Sequence, residues 1–176
     1  PFPRAKTRAY DSGMKTPFLV HAPNMKVSGD RTQLVSAVDI TPTLLELAGI
    51  AIPKDLHGKS FLSMLGNAEA KIRDYVFAEH NWHDYKAYER SVRSKEFLYV
   101  ENALPNLNAN PPADAVTSPS WQVMRKMYLD GELNEIQMDS FVAPRSPKEL
   151  FDVNKDAFSY KNLASQAEYQ STLAQY

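Results

Sequence analysis

Apolar residues in this chain come in short runs divided by proline, glycine and asparagine, and the spacing within each run assigns an element. Pro17-Phe18-Leu19-Val20-His21-Ala22-Pro23 has an unbroken apolar centre, which predicts a parallel-type strand over 17–22, covered on both faces. Residues 24–31 read as a loop carrying Gly29. Val38 to Gly49 is the strongest helical pattern. Ile40, Leu44, Leu47 and Ala48 share one face, Asp39 or Thr41 serves as cap, Pro42 is tolerated in the first turn and Gly49 stops the helix. That face is expected to pack on something apolar. One helical turn is predicted over 59–65, and strands over 74–79 and 96–100, joined by an aromatic-rich connection over 80–88. Asn106, Asn108, Asn110, Pro111 and Pro112 mark a long irregular loop over 102–118. A helix then opens at Ser118-Pro119, with Trp121, Met124, Met127 and Tyr128 at helical spacing and Gly131 as its stop. A second short helix is predicted over 133–141, a strand over 149–153 and a closing helix over 166–174.

The order is one buried strand, a helix, then antiparallel-type strands mixed with helices, a fold class running from α/β to α+β. A single parallel-type strand cannot build a sheet by itself. Either residues 1–50 pair with material outside this chain, or 17–22 is not a strand.

Composition narrows the classes. At 176 residues, 43% hydrophobic and 23% charged, the chain is ordinary globular protein, long enough to bury a core. It has no cysteine, which excludes a disulfide framework, a cysteine zinc site and a thiol nucleophile. No apolar run reaches membrane-spanning length and no secretory hydrophobic region is present. The net charge of −1 argues against nucleic acid as a partner. The charge is uneven, however. Arg4, Lys6, Arg8, Lys15, Lys26 and Arg31 face only Asp11 and Asp30 in the first 31 residues, so a basic opening precedes an acidic remainder. That is either a solvated basic arm or the neighbourhood of an anionic ligand.

Templates for acyl transfer, phosphate cradling and paired-histidine zinc sites are absent. His80 and His83, with Asp84 beside them, have the spacing of a metal pair, but no third ligand follows at diagnostic spacing and no metal is assigned. Trp82, Tyr85 and Tyr88 interleave with these polar residues. Flat rings with polar tips suit a sugar, and the same residues equally suit partial burial in a core. Lys6 is the kind of point charge that partners a phosphate or sulfate oxygen.

Taken together, the motifs are more specific than any one of them. The run from Pro3 through Lys6, Tyr10, Gly13 and Pro17 to Val20 resembles the sulfatase family of the alkaline-phosphatase superfamily, where an active-site lysine precedes a tyrosine by four residues. Asp39-Ile40-Thr41-Pro42-Thr43 resembles the family's Asp-x-x-Pro-Thr helix. Leu56-His57-Gly58-Lys59-Ser60-Phe61 resembles its following turn, with His57 where Asp is common. Ser118-Pro119-Ser120-Trp121, Ala143-Pro144-Arg145, Glu149-Leu150-Phe151-Asp152 and Asn162-Leu163-Ala164 extend the match. Pro1-Phe2-Pro3 and the surroundings of Arg90-Ser91-Val92 look most like the heparan N-sulfatase (sulfamidase) branch.

The resemblance implies the C-terminal part of a sulfatase. Residues 1–66 would be the end of its catalytic domain. Residues 67–176 would be a C-terminal α+β subdomain with a small antiparallel sheet packed on helices. It implies hydrolysis of sulfate esters or N-sulfate groups, with a sulfated glycan as substrate. Calcium would neutralise the sulfate oxygens and a hydrated formylglycine would attack sulfur. Lys6 would supply a fixed positive charge to the sulfate. His80 would lie near the substrate or leaving group, and Trp82, His83 and Arg90 on the sugar side. Arg8 is expected to tolerate replacement.

The departures bear on activity. The family's nucleophile motif, Cys/Ser-x-Pro-x-Arg, does not occur here, and its Asp-Asn/His-Gly calcium ligands would lie immediately upstream of Pro1. The expectation is therefore a piece of a longer polypeptide, inactive alone, that self-associates or contacts a missing N-terminal part. The resemblance also implies a periplasmic, secreted or lysosomal setting. The alternatives are a phosphodiesterase or phosphonate hydrolase of the same superfamily, or a non-enzymatic carbohydrate-binding module.

Overall fold

The computed structural model describes residues 4–22 and 27–176. Pro1-Phe2-Pro3, the proline that closes the 17–22 run and the start of the following loop lie outside the described residues. In chain order the helices are α1 (Asp11–Met14), α2 (Ile40–Leu47), α3 (Leu62–Gly66), α4 (Ala113–Val116), α5 (Pro119–Leu129) and α6 (Gln170–Leu173). The strands are β1 (Val76–Trp82), β2 (Lys86–Arg93), β3 (Phe97–Asn102) and β4 (Lys148–Asp152), forming one sheet in the order β1-β2-β3-β4. The chain divides into two compact units, one made of residues up to Thr16 together with Phe77–Tyr176, the other of Pro17–Val76.

The first unit is built on the sheet. Antiparallel pairing sets Ser91 opposite Val100 and Glu89 opposite Asn102, and on the other side of β3 it sets Leu98 opposite Phe151 and Val100 opposite Glu149. Alternation along each strand turns Leu98, Val100 and Phe151 to one face, where Tyr10 and Met14 cover them. The single turn of α1 holds Tyr10 and Met14 there. Its Gly13 has no room for a side chain, since a Cβ would fall 2.3 Å from the Arg8 carbonyl oxygen and 2.4 Å from that of Ala5. Helix α5 follows its predicted signals. The Ser118 hydroxyl accepts from the Trp121 N–H at 3.3 Å, Pro119 opens the helix, and Gly131 closes it with φ of 73°. Trp121 and Tyr128, two turns apart, clasp the Phe141 ring at 4.9 and 4.4 Å, both nearly parallel to it.

Two expectations fail in this unit. The 80–88 stretch is not a connection: β1 runs on to Trp82, residues 83–85 turn, and β2 starts at Lys86. Strand β2 escaped the hydropathy pattern because its buried positions are Glu89 and Ser91, polar residues satisfied by partners elsewhere in the fold. The second helix near 133–141 is only a 3-10 turn, Gln137–Ser140, whereas the closing helix is present, a 3-10 turn over Ala167–Tyr169 running directly into α6.

The second unit is organised by Asp39, which is fully buried. Its carboxylate accepts from the backbone N–H of Ser36 and of Lys59, each at 2.8 Å, and from the Arg73 guanidinium. One turn on, the Thr43 hydroxyl donates to the Asp39 carbonyl at 2.6 Å and accepts from the Phe61 N–H at 3.0 Å. The Asp-x-x-Pro-Thr run thus ties α2 to the segment before α3. The face of α2 expected to be covered is not the buried one. Pro42 and Thr43 are buried, whereas Leu44 and Leu47 are exposed. Residues 17–22 form no strand, because no neighbouring strand offers them hydrogen bonds, and Leu19 is 95% exposed.

Candidate active site

Lys6, the predicted sulfate partner, lies on the segment leading into α1. Its Nζ pairs with Asp114 at 2.6 Å, and both side chains are more than half exposed. The N-terminus of α4 that carries Asp114 also gathers the turn between β1 and β2. The Ala113 N–H donates to the Asp84 carboxylate at 2.5 Å, and that carboxylate lies 3.1 Å from His83 Nδ1. The Ala113 hydrogen bond, with help from His83, holds the Asp84 carboxyl below the usual range, and the Lys6 hydrogen bond does the same for Asp114. Lys6 and His83 are therefore brought together through two consecutive residues of one helical turn.

His80 sits on β1, two residues before Trp82, so the two share a strand face. Its Nδ1 is 3.9 Å from a Glu89 carboxylate oxygen, too far for a hydrogen bond, and neither ring nitrogen has a hydrogen-bond partner. Burial pushes its pKa below the ordinary 6.5. Glu89 opposes that shift, while Arg8 and His83 add to it. The ring is thus neutral at physiological pH, with one donor and one acceptor free. Trp82 is 68% exposed at the end of β1. Arg90 is set apart from this group. It stacks on Tyr88 at 4.2 Å and binds Asn81 at 2.8 Å and Glu79 at 3.3 Å, on the strand face opposite Glu89.

Beneath His80 lies a buried ionic network. Glu89 receives Arg8, donates nothing, and also accepts from Arg145 Nη1 at 2.8 Å and from the Ala9 N–H at 3.3 Å. Arg145 Nη2 donates to the Tyr10 hydroxyl at 2.7 Å, and that hydroxyl donates to Glu149. Arg4 closes the network. It binds Asp139 at 2.7 Å and lies over the Tyr10 and Phe151 rings. Burial raises the Tyr10 pKa, with Glu149 adding to the shift, and burial likewise raises that of Glu149. Arg8 is therefore no tolerant surface residue. It is 8% exposed and paired in the interior.

Sequence reasoning did not single out Glu89, Asn102 or Arg145 for a site. Arg145 had a signal, the Ala-Pro-Arg run. Glu89 had one only in hindsight of pairing, as an acidic residue on the buried face of a strand.

The N-sulphoglucosamine sulphohydrolase, C-terminal family matches residues 5–102, more than half of the chain and a span holding Lys6, His80, Glu89 and Asn102. The chain belongs to this family. It is 36% identical to an ulvan-active sulfatase of Formosa agariphila, across 99% of this chain and 29% of that protein. It is 27% identical to mouse arylsulfatase K, across 92% of this chain and 24% of that protein. Among solved structures it is similar to a putative sulfatase from Bacteroides thetaiotaomicron, with 25% identity and a TM-score of 0.48 over 78% of this chain and 22% of that one. The chain thus spans less than a third of the length of each of these two curated relatives. Among the described residues no group of three or more His, Asp or Glu could hold a metal ion, and no helix is long and apolar enough to cross a membrane.

Proposed function

We propose that this chain is the C-terminal part of a sulfatase that hydrolyses sulfate esters or N-sulfate groups on a sulfated glycan. The observation that carries the reading is the family match, which spans both Lys6 and His80. The relative named for ulvan supports a glycan as substrate. Within the reaction, Lys6 supplies a positive charge that Asp114 holds in place and solvent leaves accessible. His80 offers a neutral ring with free nitrogens, suited to a hydrogen bond with the substrate or its leaving oxygen. Trp82 presents a flat apolar face to a sugar ring, and the half-exposed His83 serves the sugar's polar rim, whereas Arg90, engaged on the opposite strand face, takes no part in it.

Calcium and formylglycine would supply sulfate neutralisation and the attacking oxygen, and we assign both to the remainder of a longer polypeptide. The residues of this chain do not fit them: cysteine and Ser-x-Pro-x-Arg are absent, and no metal-holding cluster occurs among the described residues. The chain alone is accordingly inactive. The setting proposed is periplasmic, secreted or lysosomal.

Two measurements test this. Coding sequence upstream of Pro1 should contain Asp-Asn-Gly or Asp-His-Gly next to it and Cys/Ser-x-Pro-x-Arg further back; a start codon adjoining Pro1 overturns the reading. The full-length polypeptide should release sulfate from sulfated glycans. Turnover of phosphate diesters without sulfate release would move it to the phosphodiesterases.

A further inference from the structure

Lys6 has a pinned backbone and a charge on a flexible stem. Arg4 on one side of it binds Asp139 and Arg8 on the other binds Glu89, both in largely buried pairs. The Ala5 carbonyl accepts from the Arg8 N–H at 3.0 Å, and Gly13 packs against that carbonyl. The side chain is a compact ammonium at the end of four methylenes, so its place is set by what it pairs with. That partner is Asp114, at 2.6 Å.

Asp114 stands on α4, a single helical turn of four residues. So short a helix does not hold itself, because fixing one turn costs more than its hydrogen bonds return. Its first N–H groups have no acceptor inside the helix. The Ala113 N–H, one residue before Asp114, is taken by Asp84 Oδ2 at 2.5 Å. Asp84 belongs to the turn that joins β1 to β2, so the sheet carries it. The same oxygen lies 3.1 Å from His83 Nδ1, and Trp82 ends β1 just before them. A continuous link therefore runs from the sheet turn through Asp84, Ala113 and Asp114 to Lys6, inside one compact unit. An exposed ion pair adds little stability. What this one fixes is a direction, and a small misplacement of a group that acts on the reacting atoms is costly in rate.

We propose that Asp84 is a positioning residue for Lys6: by holding the α4 turn it sets where the Lys6 ammonium stands relative to Trp82 and His83. This rests on the sulfatase reading and deepens it, because the charge for the sulfate and the face for the sugar are then kept in one frame by a single carboxylate.

A carboxyl-carbon NMR titration of the chain tests the link. The Lys6 hydrogen bond holds Asp114 below its ordinary 3.8. Lys6→Ala should raise the Asp114 midpoint. Asp84→Ala should raise it too, because the released α4 turn lets Asp114 leave Lys6. Loss of the Asp84 charge alone would act in the opposite direction, since a neighbouring carboxylate raises a carboxyl pKa, so a rise marks lost pairing. Asp84→Asn keeps an oxygen for the Ala113 N–H and should produce no rise. An Asp114 midpoint that stays or falls in Asp84→Ala overturns the proposal and makes Asp84 a solvated turn residue.

In the full-length polypeptide, Asp84→Ala should lower kcat for sulfate release by about tenfold or more, and Asp84→Asn should recover most of that loss. Added to Lys6→Ala, the Asp84→Ala change should cost kcat nothing further, because its effect passes through Lys6. Additive losses overturn the positioning role. Sulfate release with no Asp114 response to Asp84→Ala sinks the link and leaves the sulfatase reading standing. An Asp114 response without sulfate release from the full-length polypeptide sinks that reading and leaves the link between Asp84 and Lys6.

Discussion

Arg8 and Glu89 form an ion pair in the protein interior from positions 81 residues apart, whereas Lys6, two residues from Arg8, pairs with Asp114 in solvent. Removing Arg8 leaves the buried Glu89 with Arg145 and the Ala9 N–H alone, and breaking a buried pair costs up to about 3–5 kcal/mol. Arg8→Ala should therefore lower the urea midpoint strongly and Lys6→Ala should leave it where it is. Equal midpoints for the two variants would mean that the Arg8 contact contributes nothing.

Lys6→Ala should instead act on turnover. In the full-length polypeptide, losing a fixed charge on a developing anion costs about 2.7–4 kcal/mol of transition-state stabilisation, or roughly 10²–10³ in kcat. Near-wild-type sulfate release by this variant would make Lys6 a surface lysine of no catalytic consequence.

Tyr10 makes stability sensitive to alkali. Burial and the Glu149 carboxylate keep its hydroxyl protonated beyond the ordinary 10.0. The unfolded chain loses that proton near its ordinary value and the folded chain holds it. Stability is therefore full below 10.0 and falls as pH rises past it. Tyr10→Phe should be less stable at neutral pH, because Arg145 and Glu149 lose a partner, yet show a flatter decline in alkali. Urea midpoints across the alkaline range decide it, and parallel declines for the two proteins count against the assignment.

His80 acts at the acid end. Burial holds its pKa below 6.5, so the unfolded chain takes up a proton first and stability drops as pH falls through that value and below. His80→Gln should flatten this part of the profile. Thermal melts of both proteins on either side of 6.5 are the check, and an unchanged slope would show that the ring titrates freely in the folded chain.

Two glycines of the second unit should respond oppositely to alanine. At Gly58 a Cβ would sit 1.9 Å from the Val38 carbonyl oxygen, so the Asp39-centred contact must open. At Gly66, the last residue of α3, nothing lies within 4 Å. Gly66→Ala should gain up to about 1 kcal/mol from reduced freedom of the unfolded chain, and Gly58→Ala should destabilise. Melting temperatures in the same order for both substitutions would contradict the packing described around Val38.

The signals that survived from sequence to structure are local. Ser118, Pro119 and Gly131 bound α5 because capping and φ preferences act within a few residues, and the α2 pattern held for the same reason. What was illegible is long-range. No periodicity announces that Glu89 will meet Arg8 and Arg145, since their contact depends on the register of β2 against β3 and on the turn at Gly13. Family motifs brought Lys6 and His80 to attention, but the buried Asn102 lies at a strand end with no motif around it. The apolar face of α2 was legible as a pattern, and its burial was not, because a pattern marks a preference and leaves the covering surface unspecified.

The reach of the ionic network has a consequence for synthesis. Arg4 and Tyr10 find Asp139, Arg145 and Glu149 across 135 to 139 residues. A ribosome adding about 5–20 residues per second needs roughly 7–28 s to travel that distance. Throughout that interval the emerging segment around Tyr10 lacks its partners, and the sheet cannot close over it before β4 has left the exit tunnel. Folding of this unit is a late event on the nascent chain, and the segment carrying Lys6 is open to chaperones and proteases until it occurs.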